Sequence, residues 1–285
     1  MKCYLTKLIY LSAFFIVIII LAIVMPVISF QLKDWRIDSG KTIAFMGASH
    51  ISRDLDLSSS LDAINLAKPS ERYMFTFMKL KKLVENNPQI KQIVLQCAPT
   101  DLWQHTDDKY FVENEMSEFV PLFYPMFTKE DLSFFEGYYD DMAKFILQHC
   151  LDPRSYFQST YFHRIGYGDQ DGQMLDDVMD KSKVKPNMIQ GTFSNKVNKY
   201  YLRKIIDYCK AHNVTLSLIY CPMYKPEYYY DQKYYYSQLK NFCDVPFYDY
   251  CNWEVPDSCR YDAHHLNRKG AQLFTKELMR KFNFK

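Results

Sequence analysis

Two short stretches far apart in the chain hold residue types that together can transfer an acyl group. The first is Gly47-Ala48-Ser49-His50, which follows the apolar run Lys41-Thr-Ile-Ala-Phe-Met46. The second is Tyr261-Asp262-Ala263-His264-His265-Leu266-Asn267. A serine hydroxyl is a weak nucleophile at neutral pH and needs a base beside it, and that base works best when a carboxylate fixes its tautomer. Asp262 and His265, three positions apart on one loop, supply both groups. A turn directly after a buried strand lifts Ser49 clear of the sheet, where backbone N–H groups can face a developing oxyanion. Each stretch alone is a weak signal, because Gly and Ser are common in plain turns and Asp often caps a helix.

The surrounding pattern supplies elements able to hold these groups. Residues 41–46, 92–96 and 214–220 are short apolar runs closed by turn residues, as expected of buried strands, and 245–250 makes a shorter fourth. Between and after them, residues 71–86, 195–211 and 267–282 carry apolar positions at helical spacing, with Asn267 as a cap for the last, and the Tyr-rich stretch 228–240 also suits a helix. Alternating strands and amphipathic helices predict parallel β-α-β units with the sheet covered on both faces. Reactive groups then sit beyond the carboxyl ends of strands. Residues 102–194 break the alternation. They are rich in Tyr and Phe, poor in strand-like runs, and read as a mostly helical insertion.

An N-terminal strand followed by a serine turn, with Asp-x-x-His before the last helix, resembles the SGNH (GDSL-like) hydrolase superfamily. Its first block, Gly-Asp-Ser, corresponds to Gly47-Ala48-Ser49, and its last to Asp262–His265, followed by Leu266, Asn267, Gly270 and Ala271. Its third block falls on Ala98-Pro99-Thr100-Asp101, and its second near Ile64-Asn65-Leu66-Ala67. The resemblance implies an α/β fold, a three-layer α/β/α sandwich with a mostly parallel sheet of the flavodoxin-like type. It also implies Ser49, Asp262 and His265 as catalytic residues. Asn65 and Thr100 are the oxyanion candidates, with His50 beside them for substrate. The departures lie at these last positions, since Thr100 stands where the family has an oxyanion Asn, and Asn65 or Ala67 where it has a Gly. Gly47-x-Ser49-His50, Pro99-x-Asp101-Leu102-Trp103 and one N-terminal membrane helix are similar to a divergent branch linked to surface-polysaccharide O-acylation. That branch implies an acylated glycan or lipid-linked acceptor and a membrane-bound O-acyltransferase as partners. A non-catalytic accessory that keeps the fold is the alternative.

From Leu8 to Phe30 no residue is charged, and the run FFIVIIILAIVM is apolar on every face, matching the roughly 20 residues that cross a bilayer. Lys2 and Lys7 favour a cytoplasmic N-terminus, placing the domain from about residue 41 to 285 outside the cytoplasm and residues 1–33 as tail and anchor. A cleaved signal is the competing reading, with Val27-Ile28-Ser29 as a poor cleavage site. The formal net charge of +2, with basic residues dispersed, excludes the concentrated positive stripe that nucleic acid selects. Among the eight cysteines there is no C-x-x-C and no metal-ligand spacing with His, so no metal or cofactor is expected. Cys97, Cys209 and Cys221 read as buried thiols, whereas two of Cys243, Cys251 and Cys259 could pair in an oxidising compartment. His105 and the remaining dispersed histidines read as structural.

Overall fold

A computed structural model describes residues 2–103, 107–152, 157–168, 174–188, 196–242 and 244–285. His105 and Cys243 therefore lie outside the described residues. The chain divides into two compact units, one of Met1–Asp34 with Phe111–Ile165 and one of Trp35–Tyr110 with Gly166–Lys285.

The first unit is helical. Its opening helix, α1 (Lys2–Gln31), is long and apolar enough over Tyr4–Gln31 to cross a membrane, and it carries Pro26 in its interior. The ring of Phe30 near its end packs edge-on to Tyr161, with 6.2 Å between centroids.

The second unit is a five-stranded parallel sheet in the order β2-β1-β3-β4-β5. Its strands are β1 (Ile43–Met46), β2 (Ala63–Asn65), β3 (Gln92–Gln96), β4 (Thr215–Tyr220) and β5 (Phe247–Asp249). Helices α2 (Ser49–Asp54) and α3 (Tyr73–Asn86) follow β1 and β2, and the single turn α4 (Pro99–Leu102) follows β3. In the first unit, α5 (Glu113–Phe123), α6 (Lys129–Ser133), α7 (Tyr139–Cys150) and α8 (Gln158–Ile165) come next in the chain. The second unit resumes with α9 (Val197–Ala211), α10 (Gln232–Leu239) and α11 (Arg268–Phe282).

Side chains alternate across a strand, and the two faces of the sheet are filled accordingly. Ile43, Phe45, Val94 and Ile219 share one core with Ile51 of α2 and Phe274, Leu278 and Phe282 of α11. On the other face α3 packs against α9, with the rings of Phe77 and Tyr201 6.1 Å apart. This is the three-layer α/β/α sandwich expected from the alternation. The observed strands β1, β3, β4 and β5 and helices α3, α9, α10 and α11 fall within a few residues of the predicted ones. The strand β2 was not foreseen, because three residues are too few to show a period. In α11, Asn267 caps the helix by accepting the Gly270 N–H at 3.2 Å. A Cβ on Gly270 would lie 2.1 Å from the Cys259 carbonyl oxygen, so the helix approaches the preceding loop as only glycine permits.

Cys97, Cys150, Cys209, Cys221, Cys251 and Cys259 are free, buried thiols. Cys251 and Cys259 are not joined to each other, and Cys243, the third member of the cluster in which two were expected to be able to pair, lies outside the described residues. Cys251 instead lies 3.5 Å from the Tyr236 hydroxyl. Among the described residues no cluster of His, Cys, Asp and Glu is suited to a metal.

Candidate active site

The order 2-1-3-4-5 places the topological switch point between β1 and β3, and open α/β sheets bind ligands in the crevice beyond the carboxyl ends of such strands. β1 ends at Met46, and Gly47 turns the chain with φ +139°, a conformation that side chains rarely adopt. A Cβ there would stand 2.4 Å from the Gln96 Cβ on the neighbouring strand. The tight turn delivers Ser49 to the first position of α2.

His265 comes from the opposite end of the chain. Its Nε2 lies 3.0 Å from Ser49 Oγ, and its Nδ1 lies 3.1 Å from both carboxylate oxygens of Asp262. Asp262 Oδ1 also accepts the backbone N–H of His264 at 2.7 Å and of His265 at 2.8 Å. Partial burial would raise the Asp262 carboxyl, but these bonds and the facing imidazole outweigh it and hold the pKa near about 2. The carboxylate is therefore ionised across the physiological range, oriented to keep the proton on Nδ1 and leave Nε2 as the acceptor toward Ser49.

Asp54 joins the serine helix to the histidine loop. Buried at the end of α2, it accepts the Leu266 N–H at 2.8 Å through Oδ1, while Oδ2 lies 3.5 Å from His50 Nδ1. The His50 ring lies 5.1 Å from that of His265 at 34°. Burial, and then His50 facing it, push His264 down to about 4, so it is neutral near pH 7.

Ser49, His50, His264 and His265 line a cavity of about 260 Å³ together with Ala48, Ser70, Arg72, Gln96, Thr100, Asp101, Trp103, Lys109 and Tyr230. Trp103 and Tyr230 form one wall, edge to face at 5.4 Å. Of the residues expected at the oxyanion position, Thr100 lines the cavity and Asn65 does not. The Asn65 amide donates to the Ile51 carbonyl at 2.9 Å, and its oxygen accepts the Ala67 N–H at 3.1 Å. Both ends of that side chain are thus occupied, the nitrogen by a carbonyl of α2 and the oxygen by the chain just past β2.

Two contributors were not singled out from sequence. Ser70 occupies the third position of a turn closed by the Glu71 N–H donating to the Lys68 carbonyl at 3.1 Å, and it has φ +63°. With Pro69 before it, this is the geometry that glycine ordinarily fills. The turn is anchored from behind by Glu71 and Lys79, a fully buried ion pair at 2.7 Å, and Lys79 also donates to the carbonyls of Leu66 and Gly166. Gln96 is the second. Its oxygen accepts the Ala48 N–H, and its nitrogen donates to Asp101 at 3.1 Å. Burial raises the Asp101 carboxyl, opposed by the Ala98 N–H, which donates to it at 2.7 Å, and by Gln96.

Among known proteins, a family model matches residues 146–284, and its description states no function. No curated protein matches the chain. Solved structures similar to it include a provisionally assigned acylhydrolase from Bacteroides fragilis NCTC 9343, at 10% identity and TM-score 0.42, covering 90% of this chain and 92% of the other. A GDSL-like lipase from Bacteroides thetaiotaomicron VPI-5482 gives 8% identity and TM-score 0.42, covering 90% and 93%. The fold assignment stands on the chain's own strand order and layers.

Proposed function

We propose that the protein is a serine-dependent acyl-ester hydrolase or O-acyltransferase, tethered by α1 and working on acylated cell-surface glycans outside the cytoplasm. The observation that carries this reading is the continuous hydrogen-bonded line from Ser49 Oγ through His265 to Asp262, opening into a lined cavity.

Ser49 Oγ attacks the ester carbonyl as His265 Nε2 takes the hydroxyl proton, and Asp262 stabilises the imidazolium that forms. The oxyanion is met by the backbone N–H of Ser49, with the Ser70 turn and the Thr100 hydroxyl facing the same cavity. Each such donor is worth roughly 3–4 kcal/mol of transition-state stabilisation. Collapse of the tetrahedral species returns the proton from His265 to the departing alkoxide and leaves the acyl group on Ser49. Water or a sugar hydroxyl, deprotonated by His265, then releases it. Trp103 and Tyr230 offer flat apolar surface to a sugar, and Arg72, Lys109 and Asp101 add polar groups to the lining.

A fluorophosphonate probe on the full chain in detergent tests the reading. Wild type is expected to label at one site, with labelling lost in Ser49→Ala and reduced about a hundredfold or more in His265→Gln. Equal labelling of wild type and Ser49→Ala would show that Ser49 is not an activated nucleophile and leave the second reading, a non-catalytic partner of a membrane-bound O-acyltransferase. The observation favouring that second reading is the engagement of Asn65 by backbone, which removes a side-chain amide from the oxyanion position.

A further inference from the structure

Beyond the carboxyl ends of β4 and β5 lies a second cleft of about 560 Å³, separate from the serine cavity in its lining. One wall is Arg260. This side chain is 5% exposed, and its Nε and Nη1 are buried with no hydrogen-bond partner. A buried guanidinium without acceptors is costly, and proteins normally pair one or spend it on a ligand. Asp257 and Asp54 lie near enough to act on Arg260 electrostatically but neither accepts a hydrogen bond from its Nε or Nη1, and Glu254 lines the cleft as an exposed carboxylate. Asp257 forms an ion pair with Lys181, and Asp54 holds the Leu266 N–H and faces His50. Across the cleft, Lys225 is a non-glycine residue at φ +49°, a strained conformation of the kind that collects at ligand sites, with its ammonium 3.0 Å from the Tyr228 hydroxyl. Trp253 and Tyr224 add aromatic surface between the two cations, and the Tyr224 ring centroid lies 5.8 Å from the Arg260 guanidinium carbon.

We propose that this cleft binds an oxyanion carried on a sugar, with Arg260 and Lys225 receiving the carboxylate or phosphate and Trp253 receiving the ring. Arginine suits this role because its fork of donors matches the oxygens of either group, and aromatic side chains commonly present a flat apolar body with a polar tip to such ligands. The cleft shares a loop with the serine cavity. Arg260 and Asp262 are two residues apart, and the Tyr224 N–H donates to the Ala263 carbonyl at 2.9 Å. An occupant would therefore rest against the segment that carries His265. Binding at this cleft does not depend on Ser49 acting as a nucleophile, so its test is read without turnover.

The test is calorimetric titration of the full chain in detergent with sodium glucuronate, inorganic phosphate and glucose. Saturable binding of glucuronate, phosphate or both, at least about tenfold tighter than glucose, is expected, since hydrogen bonds to charged groups are worth that factor or more. Glucuronate alone identifies a carboxylate as the preferred group, and phosphate alone a tetrahedral oxyanion. Arg260→Gln should weaken the anion about tenfold or more, and Arg260→Lys less. Lys225→Gln, at an exposed position, should weaken it severalfold and serves as the reporter if Arg260→Gln fails to fold by circular dichroism. Anions that bind no better than glucose, or an affinity unchanged in a folded Arg260→Gln or in Lys225→Gln, would overturn the proposal.

Discussion

Gln96 Oε1 accepts the Ala48 N–H at 3.1 Å, so the last residue of β3 fixes the backbone immediately before Ser49. The same side chain reaches the Ile51 N–H at 3.4 Å and is itself oriented by Asp101. Gln96→Leu leaves a buried Ala48 N–H without an acceptor, a loss of about 1–3 kcal/mol. The fluorophosphonate labelling rate of Ser49 should fall about tenfold or more, and Gln96→Glu should not restore it, because its carboxylate would replace the amide that donates to Asp101. A Gln96→Leu rate equal to wild type would show that the turn holds itself.

Gly47→Ala should be among the most damaging changes in the second unit. The added Cβ meets Gln96 Cβ at 2.4 Å, and φ +139° disfavours any side chain. A loss of about 2–4 kcal/mol is expected from the clash and backbone strain together. Thermal unfolding by circular dichroism measures it, and a melting temperature within a degree of wild type would contradict the turn geometry.

Stability should fall on mild acidification. His264 is held down to about 4 in the folded chain by burial and by the facing His50, whereas a free histidine titrates near 6.5. Between those values the unfolded chain carries a proton that the folded one does not, so stability declines as pH drops from 6.5 toward 4 and then levels off. The expected change is roughly 2 kcal/mol between pH 7 and 4.5. His149, pushed down to about 4 first by its own burial, acts in the same window from the first unit. Asp262, with its pKa at about 2, loses its contribution only at lower pH. Urea unfolding at pH 7 and 4.5 should show a smaller difference in His264→Gln than in wild type, and identical differences would remove His264 from the account.

The buried pair Glu71–Lys79 should behave asymmetrically. Lys79→Met alone strands a carboxylate in the core and frees the Leu66 and Gly166 carbonyls, a cost of about 3–5 kcal/mol. Lys79→Met with Glu71→Leu should recover much of that stability, yet the Ser70 turn would lose its anchor and the labelling rate should stay reduced. Full recovery of both quantities would separate the pair from the site.

Legibility in the sequence followed the range over which each feature is determined. The strands β1, β3 and β4 are continuous apolar runs, so their positions follow from local composition. The helices α3, α9 and α11 are amphipathic over at least 14 residues each, long enough for a period to appear. Ser49 and the Asp262–His265 spacing are likewise local patterns. Asn65 marks the opposite case. Its amide is claimed by Ile51 and Ala67, which depends on how β2 packs beside α2, and nothing in the residues around it announces that. Ser70 sits after Pro69 in a turn whose third position usually needs glycine, so composition there argued against the conformation it adopts. Gln96 reads as an ordinary strand end, and Arg260 as one more surface cation. Their roles exist only once the sheet brings other elements to them.

Ser49 and His265 are 216 positions apart in the chain, which bears on when the hydrogen bond joining them can form. Closing a contact of such separation costs chain entropy that the strand pairings between its ends must offset. The turn that carries Ser49 meets His265 only when the segment before the final helix is in place, where the Leu266 N–H donates to Asp54. Under the proposed function, the labelling of Ser49 would therefore report completion of the fold, because its base is carried by the last loop of the chain.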